Sequence, residues 1–256
     1  VEVYSWRCFY EKKSILFIFA HPDDETFACG ISISKYSETK MASTHLLCAT
    51  KGQAGKAGEP PLCTPEELPR FREQELRDAC AILGFDQVDV WEYQDKFLNT
   101  VPVDELVTRI HQAIHQIQPE IVVTFAPHGI SGHPDHLAIS HATTQAVLSL
   151  GPETSVRKLY YATRSSDEGF GTMKPPFTDP IESITTIIHA PEYMPKVADA
   201  LRAHRTQHLS VERVFPGVTK GEHDSVPPNN HYILAWHSLP NYTLQGKEAD
   251  FFDGLA

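Results

Sequence analysis

The run Ile15-Leu16-Phe17-Ile18-Phe19-Ala20-His21-Pro22-Asp23-Asp24-Glu25 decides how this chain is read. An unbroken apolar stretch, with no alternation of polar positions, is what a strand buried on both faces requires. The abrupt change to an imidazole and successive carboxylates puts ionisable chemistry at that strand's carboxyl end. A second stretch repeats the arrangement about a hundred residues later: Ile121-Val122-Val123-Thr124-Phe125 is apolar, and His133-Pro134-Asp135-His136 follows.

Further short apolar runs over 45–49, 88–91 and 159–162 read as strands. Between them, 66–83 and 103–118 carry apolar residues at helical spacing, the first stopped by Gly84 and the second by Pro119. A third helix is expected over 191–208, opened by Pro191. Strands alternating with helices predict an α/β fold, a mostly parallel sheet with helices on both faces. The segment 163–180 reads as a long loop or lid, and 217–230 as another loop. The glycine-rich stretch 52–58 lacks the spacing of either a P-loop or a dinucleotide fingerprint, so it reads as a strand-to-helix connection beside the pocket.

The 256 residues fit a single domain, with a core at about 14–210 and a C-terminal elaboration over 211–256. A formal net charge of -11 argues against a general nucleic-acid binder. The cysteines (Cys8, Cys29, Cys48, Cys63 and Cys80) are odd in number and contain no Cys-x-x-Cys pair, which favours reduced thiols in a cytoplasmic protein. No stretch approaches the ~20 apolar residues of a membrane span.

In open α/β sheets ligands bind where strands end and helices begin, which is where both clusters lie. His21 and Asp24 are three apart, as are His133 and His136, so each pair can converge on one turn of helix. Asp23 and Asp24, as neighbours, should diverge. One can ligate a metal while the other faces its open position; spacing leaves open which does which. Nitrogen and carboxylate donors suit zinc, and also iron, manganese or cobalt. Alone, either cluster could simply cap a helix. Their recurrence after two strands favours a catalytic metal site.

These residues, with Ala49-Thr50-Lys51-Gly52, Arg72-Glu73-Gln74-Glu75-Leu76 and His204-Arg205-Thr206-Gln207, resemble the PIG-L/LmbE-like family of zinc-dependent N-acetylglucosaminyl deacetylases. The resemblance covers most of 14–210. It implies a Rossmann-like fold, a Zn2+ ion held by His21, Asp24 and His136, and a metal-bound water activated by Asp23 as general base. It further implies His133 as oxyanion stabiliser and general acid, and Asp135 as the carboxylate tuning that imidazole. Arg72, Asp95 and His204 become candidates for substrate binding. The implied substrate is a small N-acetylated amino sugar, and a homo-oligomer is in keeping with the family. Two other readings stand beside it: an amidase acting on a non-sugar amide or thiol conjugate, and a non-catalytic, metal-bearing sugar-binding protein. A two-carboxylate glycosidase is disfavoured, because adjacent Asp23 and Asp24 cannot flank a glycosidic bond.

Overall fold

The structure, a computed structural model, describes residues 13–167 and 177–255. Its strands are β1 (Lys13–Phe19), β2 (Ala42–Thr50), β3 (Gln87–Tyr93), β4 (Ile121–Phe125), β5 (Lys158–Thr163), β6 (Thr186–His189) and β7 (Asn229–His237). The helices are α1 (Asp24–Glu38), α2 (Leu68–Leu83), α3 (Val103–Ile117), α4 (Pro134–Leu148), α5 (Met194–Ala203) and α6 (His208–Val214). All seven strands form one sheet in the order β3-β2-β1-β4-β5-β7-β6. The first five run parallel, and β7 is antiparallel to both of its neighbours. The α/β, mostly parallel architecture expected from the strand–helix alternation is the one observed.

Burial explains the pattern. Ile15 to Phe19 and Ile121 to Val123 are fully buried, because helices cover both faces of the sheet centre. Helices α1, α2 and α5 pack together on one side, and α3 and α4 pack together on the other. Helix α1 lacks an apolar stripe because it is enclosed nearly all round, with Ala28, Cys29, Gly30, Ile31, Ser32, Ile33 and Ser34 all buried. Its small residues let α5 approach closely; a Cβ on Gly30 would meet Val197 Cγ1 at 2.8 Å.

Two elements differ from expectation. The helix expected over 191–208 is interrupted at His204, where the backbone leaves helical geometry and two short 3₁₀ turns flank α5. The interruption has a cause: the side chains of His204 and Thr206 are drawn inward to Glu25 and Glu75. The second is β7, which lies within 211–256 and sits between β5 and β6, so that this segment supplies an inner strand of the sheet. Its mixture of His, Asn and half-buried positions hides the strand signal. Cys8 and the segment 1–12 lie outside the described residues, as do 168–176 of the expected lid. The other four cysteines are unpaired thiols.

Glu248 binds the C-terminal segment to this sheet. Its Oε1 accepts from Lys158 Nζ at 2.6 Å, and its Oε2 accepts from Tyr160 on β5 at 2.7 Å and from Thr186 on β6 at 2.6 Å. Lys158 is wholly buried and Glu248 is 5% exposed. Removing one partner strands the other charge in the interior. Glu248→Ala is therefore expected to destabilise the protein by about 3–5 kcal/mol in urea unfolding, with part of the loss recovered when Lys158→Met is added. A loss under about 1 kcal/mol, the range of an exposed pair, would contradict this role.

Candidate functional site

From β1 the chain moves outward to β2 and β3, then returns to β4 on β1's other side. The reversal leaves a crevice between the carboxyl ends of β1 and β4, the switch point at which open α/β sheets bind ligands. His21 and Asp24 follow β1, His133 to His136 open α4 after β4, and Asp95 follows β3.

Asp23 caps the start of α1 with φ 108°, a left-handed backbone that non-glycine residues rarely adopt. The turn sends the two adjacent carboxylates to different partners. Asp24 faces inward: its Oδ2 accepts from the His21 backbone N–H at 2.8 Å and lies 3.5 Å from His21 Nδ1, while Oδ1 lies 3.2 Å from His136 Nε2. His21 Nδ1 and His136 Nε2 are themselves 3.1 Å apart. Beneath them the His136 ring stacks on Phe125, with centroids 4.3 Å apart.

Asp23 instead meets Arg72. The guanidinium Nη2 donates to Asp23 Oδ2 at 3.0 Å and also to the Pro22 carbonyl, while Nη1 donates to the Gly52 carbonyl at 2.9 Å. Gly52 is needed there: at φ +62° a Cβ would lie 2.0 Å from Arg72 Nη1. Burial pushes the Asp23 carboxyl up to about 6; Arg72 opposes the rise and Asp24 reinforces it. Asp24 goes the other way. Burial works against its ionised form, but His136 and His21 outweigh burial and hold its pKa far below the usual carboxylate range.

Asp135 acts on His133 through charge, opposing the fall in its pKa, while its hydrogen bonds go elsewhere. The Asp135 carboxylate does not bind that imidazole: its Oδ2 lies 3.2 Å from His21 Nε2 and accepts from Lys96 N–H at 2.7 Å, and its Oδ1 accepts from Leu98 N–H at 3.0 Å. His133 is the helix cap, and its Nδ1 accepts from the Asp135 backbone N–H at 3.2 Å. The neutral ring therefore carries its proton on Nε2. Burial, with His21 and His136 next, lowers the His133 pKa.

Asp95, a substrate-binding candidate in the sequence, sits against His21 Nε2 at 3.0 Å and is 3% exposed. Arg72 is buried against Asp23. His204, the third candidate, is 1% exposed with its Nε2 on Glu25, so it has no surface to offer a substrate. The sequence motif contained Glu25 without indicating a task for it; only the fold shows both its oxygens engaged near Asp23. Phe177 and His128, whose rings stack beside Gly132, carry no sequence signal beyond their nearness to the second cluster.

The donor set fits a metal ion. His136 Nδ1 lies 2.9 Å from the Gly129 carbonyl, a contact that makes it the protonated nitrogen and frees Nε2. His21 Nε2 faces two carboxylates, which frees Nδ1. Such outer hydrogen bonds fix ligating imidazoles in the required tautomer. Two lone pairs facing each other beside Asp24 call for a cation between them. Other combinations also come within reach: nitrogens of His21, His133 and His136 lie within 4.8 Å of one another, as do donor atoms of His21, Asp95 and Asp135.

Without a metal a proton fills that need. Burial disfavours a charged His21, but Asp135, Asp24 and Asp95 outweigh it and hold its pKa well above the ordinary value. A ligand must lose this proton, so metal affinity is expected to fall as pH falls below that raised value, by about tenfold per pH unit for one displaced proton. Competition with a chromophoric chelator between about pH 6 and 8 measures it. An affinity independent of pH would place the metal elsewhere.

Known proteins resemble this chain in sequence and fold. Residues 16–147 match the family model described as PIG-L: GlcNAc-PI de-N-acetylase. A probable N-acetyl-alpha-D-glucosaminyl L-malate deacetylase 2 of Bacillus anthracis is 32% identical over 77% of this chain and 82% of its own length. The 1D-myo-inositol 2-acetamido-2-deoxy-alpha-D-glucopyranoside deacetylase of Kineococcus radiotolerans is 29% identical over 96% of this chain and 84% of its own. Among solved structures, the N,N'-diacetylchitobiose deacetylase of Pyrococcus horikoshii superposes with a TM-score of 0.61 at 19% identity, covering 88% of this chain and 84% of that one. Fold, paired clusters and sequence similarity together make this chain a member of the PIG-L family of GlcNAc-type de-N-acetylases.

Proposed function

We propose that this protein is a metal-dependent hydrolase that removes the N-acetyl group from a small N-acetylglucosamine-type substrate. The observation that carries the reading is the division of Asp23 from Asp24, one turned to the paired imidazoles and the other held off them by Arg72. His21, Asp24 and His136 would hold the ion, with zinc the first choice for two imidazoles and a carboxylate. When bound, the ion supplies Lewis-acid polarisation of a water and of the acyl oxygen.

The remaining steps belong to side chains of this chain. Ionised Asp23 takes a proton from the attacking water as the C–O bond forms. His133 presents Nε2–H to the developing oxyanion. That role suits it better than acid catalysis, because protonating Nδ1 would break its hydrogen bond from the Asp135 N–H. As the C–N bond breaks, Asp23 returns the proton it took to the departing amine. The products are acetate and a free amino sugar. Four unpaired thiols fit a reducing compartment, and no helix among the described residues is long and apolar enough to cross a membrane.

An acetate-release screen on zinc-loaded protein, run across N-acetylglucosaminides and non-sugar acetamides, tests the reading. Turnover confined to the sugars supports it, turnover of the other amides favours the amidase, and tight sugar binding without acetate favours a binding protein. Asp23→Asn should lower kcat by about 10²–10⁴-fold with zinc content unchanged. His133→Gln should likewise keep its zinc; metal loss would make His133 a ligand.

The pH profile follows from Asp23. The base must be ionised, so kcat/KM should fall as pH drops through an acid limb at or below about 6, since a bound dication pulls the value down. Arg72→Met removes a charge that favours ionisation and should move that limb to higher pH. An unmoved limb would assign it to another group.

A further inference from the structure

Glu25 and His204 are both buried, at 0% and 1% exposure. We propose that they form a positioning device that holds the left-handed turn at Asp23; the idea rests on Asp23 being the base. Glu25 divides its oxygens. Oε2 accepts the Asp23 backbone N–H at 3.1 Å, while Oε1 accepts from Thr26 Oγ1 at 2.6 Å and lies 3.1 Å from His204 Nε2. The backbone N–H of Asp23 is thus held by a carboxylate that an imidazole contacts from behind.

His204 belongs to a strut. Within the same four residues, Thr206 donates through N–H and Oγ1 to Glu75 at 2.8 and 2.7 Å, and Gln207 Nε2 donates to the Lys56 carbonyl at 2.7 Å. Glu75 lies one turn from Arg72 on α2, and Lys56 lies in the loop that begins at Gly52. The segment 204–207 therefore ties together the start of α1, the helix carrying Arg72, and the loop whose carbonyl Arg72 binds. These three elements set the backbone and the carboxylate of Asp23. A buried carboxylate–imidazole pair adds little net stability compared with an apolar one, and conformational specificity at Asp23 supplies a reason for its presence.

The test uses the intact, zinc-loaded protein. His204→Leu keeps bulk and loses the hydrogen bond to Glu25; His204→Gln keeps a donor. We expect His204→Leu and Glu25→Ala each to lower kcat by about 10- to 100-fold, the effect of a misplaced catalytic group. KM should stay within about twofold, and His204→Gln should recover most of the loss. Because His204 acts through Glu25, adding His204→Leu to Glu25→Ala should cost less than about threefold more. Unchanged kcat in His204→Leu, a raised KM with normal kcat, or additive losses would each overturn the device. Amide exchange at Asp23, followed by NMR without substrate, reads the same device independently of turnover. It should quicken by at least about tenfold in His204→Leu and hold in His204→Gln; equal rates in the two would overturn it. If the unmodified protein releases no acetate, the functional reading fails while the exchange result still judges the positioning.

Discussion

A left-handed turn at one aspartate governs this site. Asp23 and Asp24 are adjacent, alike in chemistry and close to the same crevice, and their spacing alone does not say which of them faces the imidazoles. At φ 108° the chain sends Asp24 to the imidazoles of His21 and His136 and leaves Asp23 facing Arg72. Such a backbone costs roughly 1–3 kcal/mol and persists only where its surroundings over-determine it. Here they do. Arg72 grips the carbonyl before the turn and the carboxylate within it, Glu25 takes the N–H, and α1 beyond is enclosed so completely that the helix start cannot slide.

Electrostatics amplify that split. Asp24 sits between two imidazoles and is held ionised far below the usual range, while Asp23 is pushed up to about 6 by burial that Arg72 only partly offsets. Pairs of carboxyls driven apart in this way mark a division between a permanent charge and a group that exchanges protons. Asp95 and Asp135 complete the frame from the opposite side of His21, and both are depressed mainly by that imidazole against the pull of burial. The centre is therefore built to hold positive charge beside one group that can take up a proton.

Much of this was readable in the sequence because it rests on local rules. Apolar runs without alternation mark β1 and β4, Gly84 stops α2, and Pro134 opens α4, so both ionisable clusters could be placed at strand ends. What stayed hidden depends on distant partners. Helix α1 has no apolar stripe because it is buried all round, and β7 is half-polar because it lies next to the sheet's edge, paired with strands that come much earlier in the chain. The Asp135 carboxylate also reaches His21, 114 residues earlier, which spacing alone does not show. His204 meets Glu25 across 179 residues, a contact no spacing could announce. Family resemblance pointed to these residues, but the fold decides which of them reach the crevice.

Anomalous diffraction from crystals of the zinc-loaded protein tests the central claim most directly, because it locates the ion among all the candidate donors at once. The account predicts zinc on His21, Asp24 and His136, with Asp23 still paired to Arg72 outside the coordination sphere. Zinc bound by Asp23, or by the three imidazoles of His21, His133 and His136 without Asp24, would contradict it.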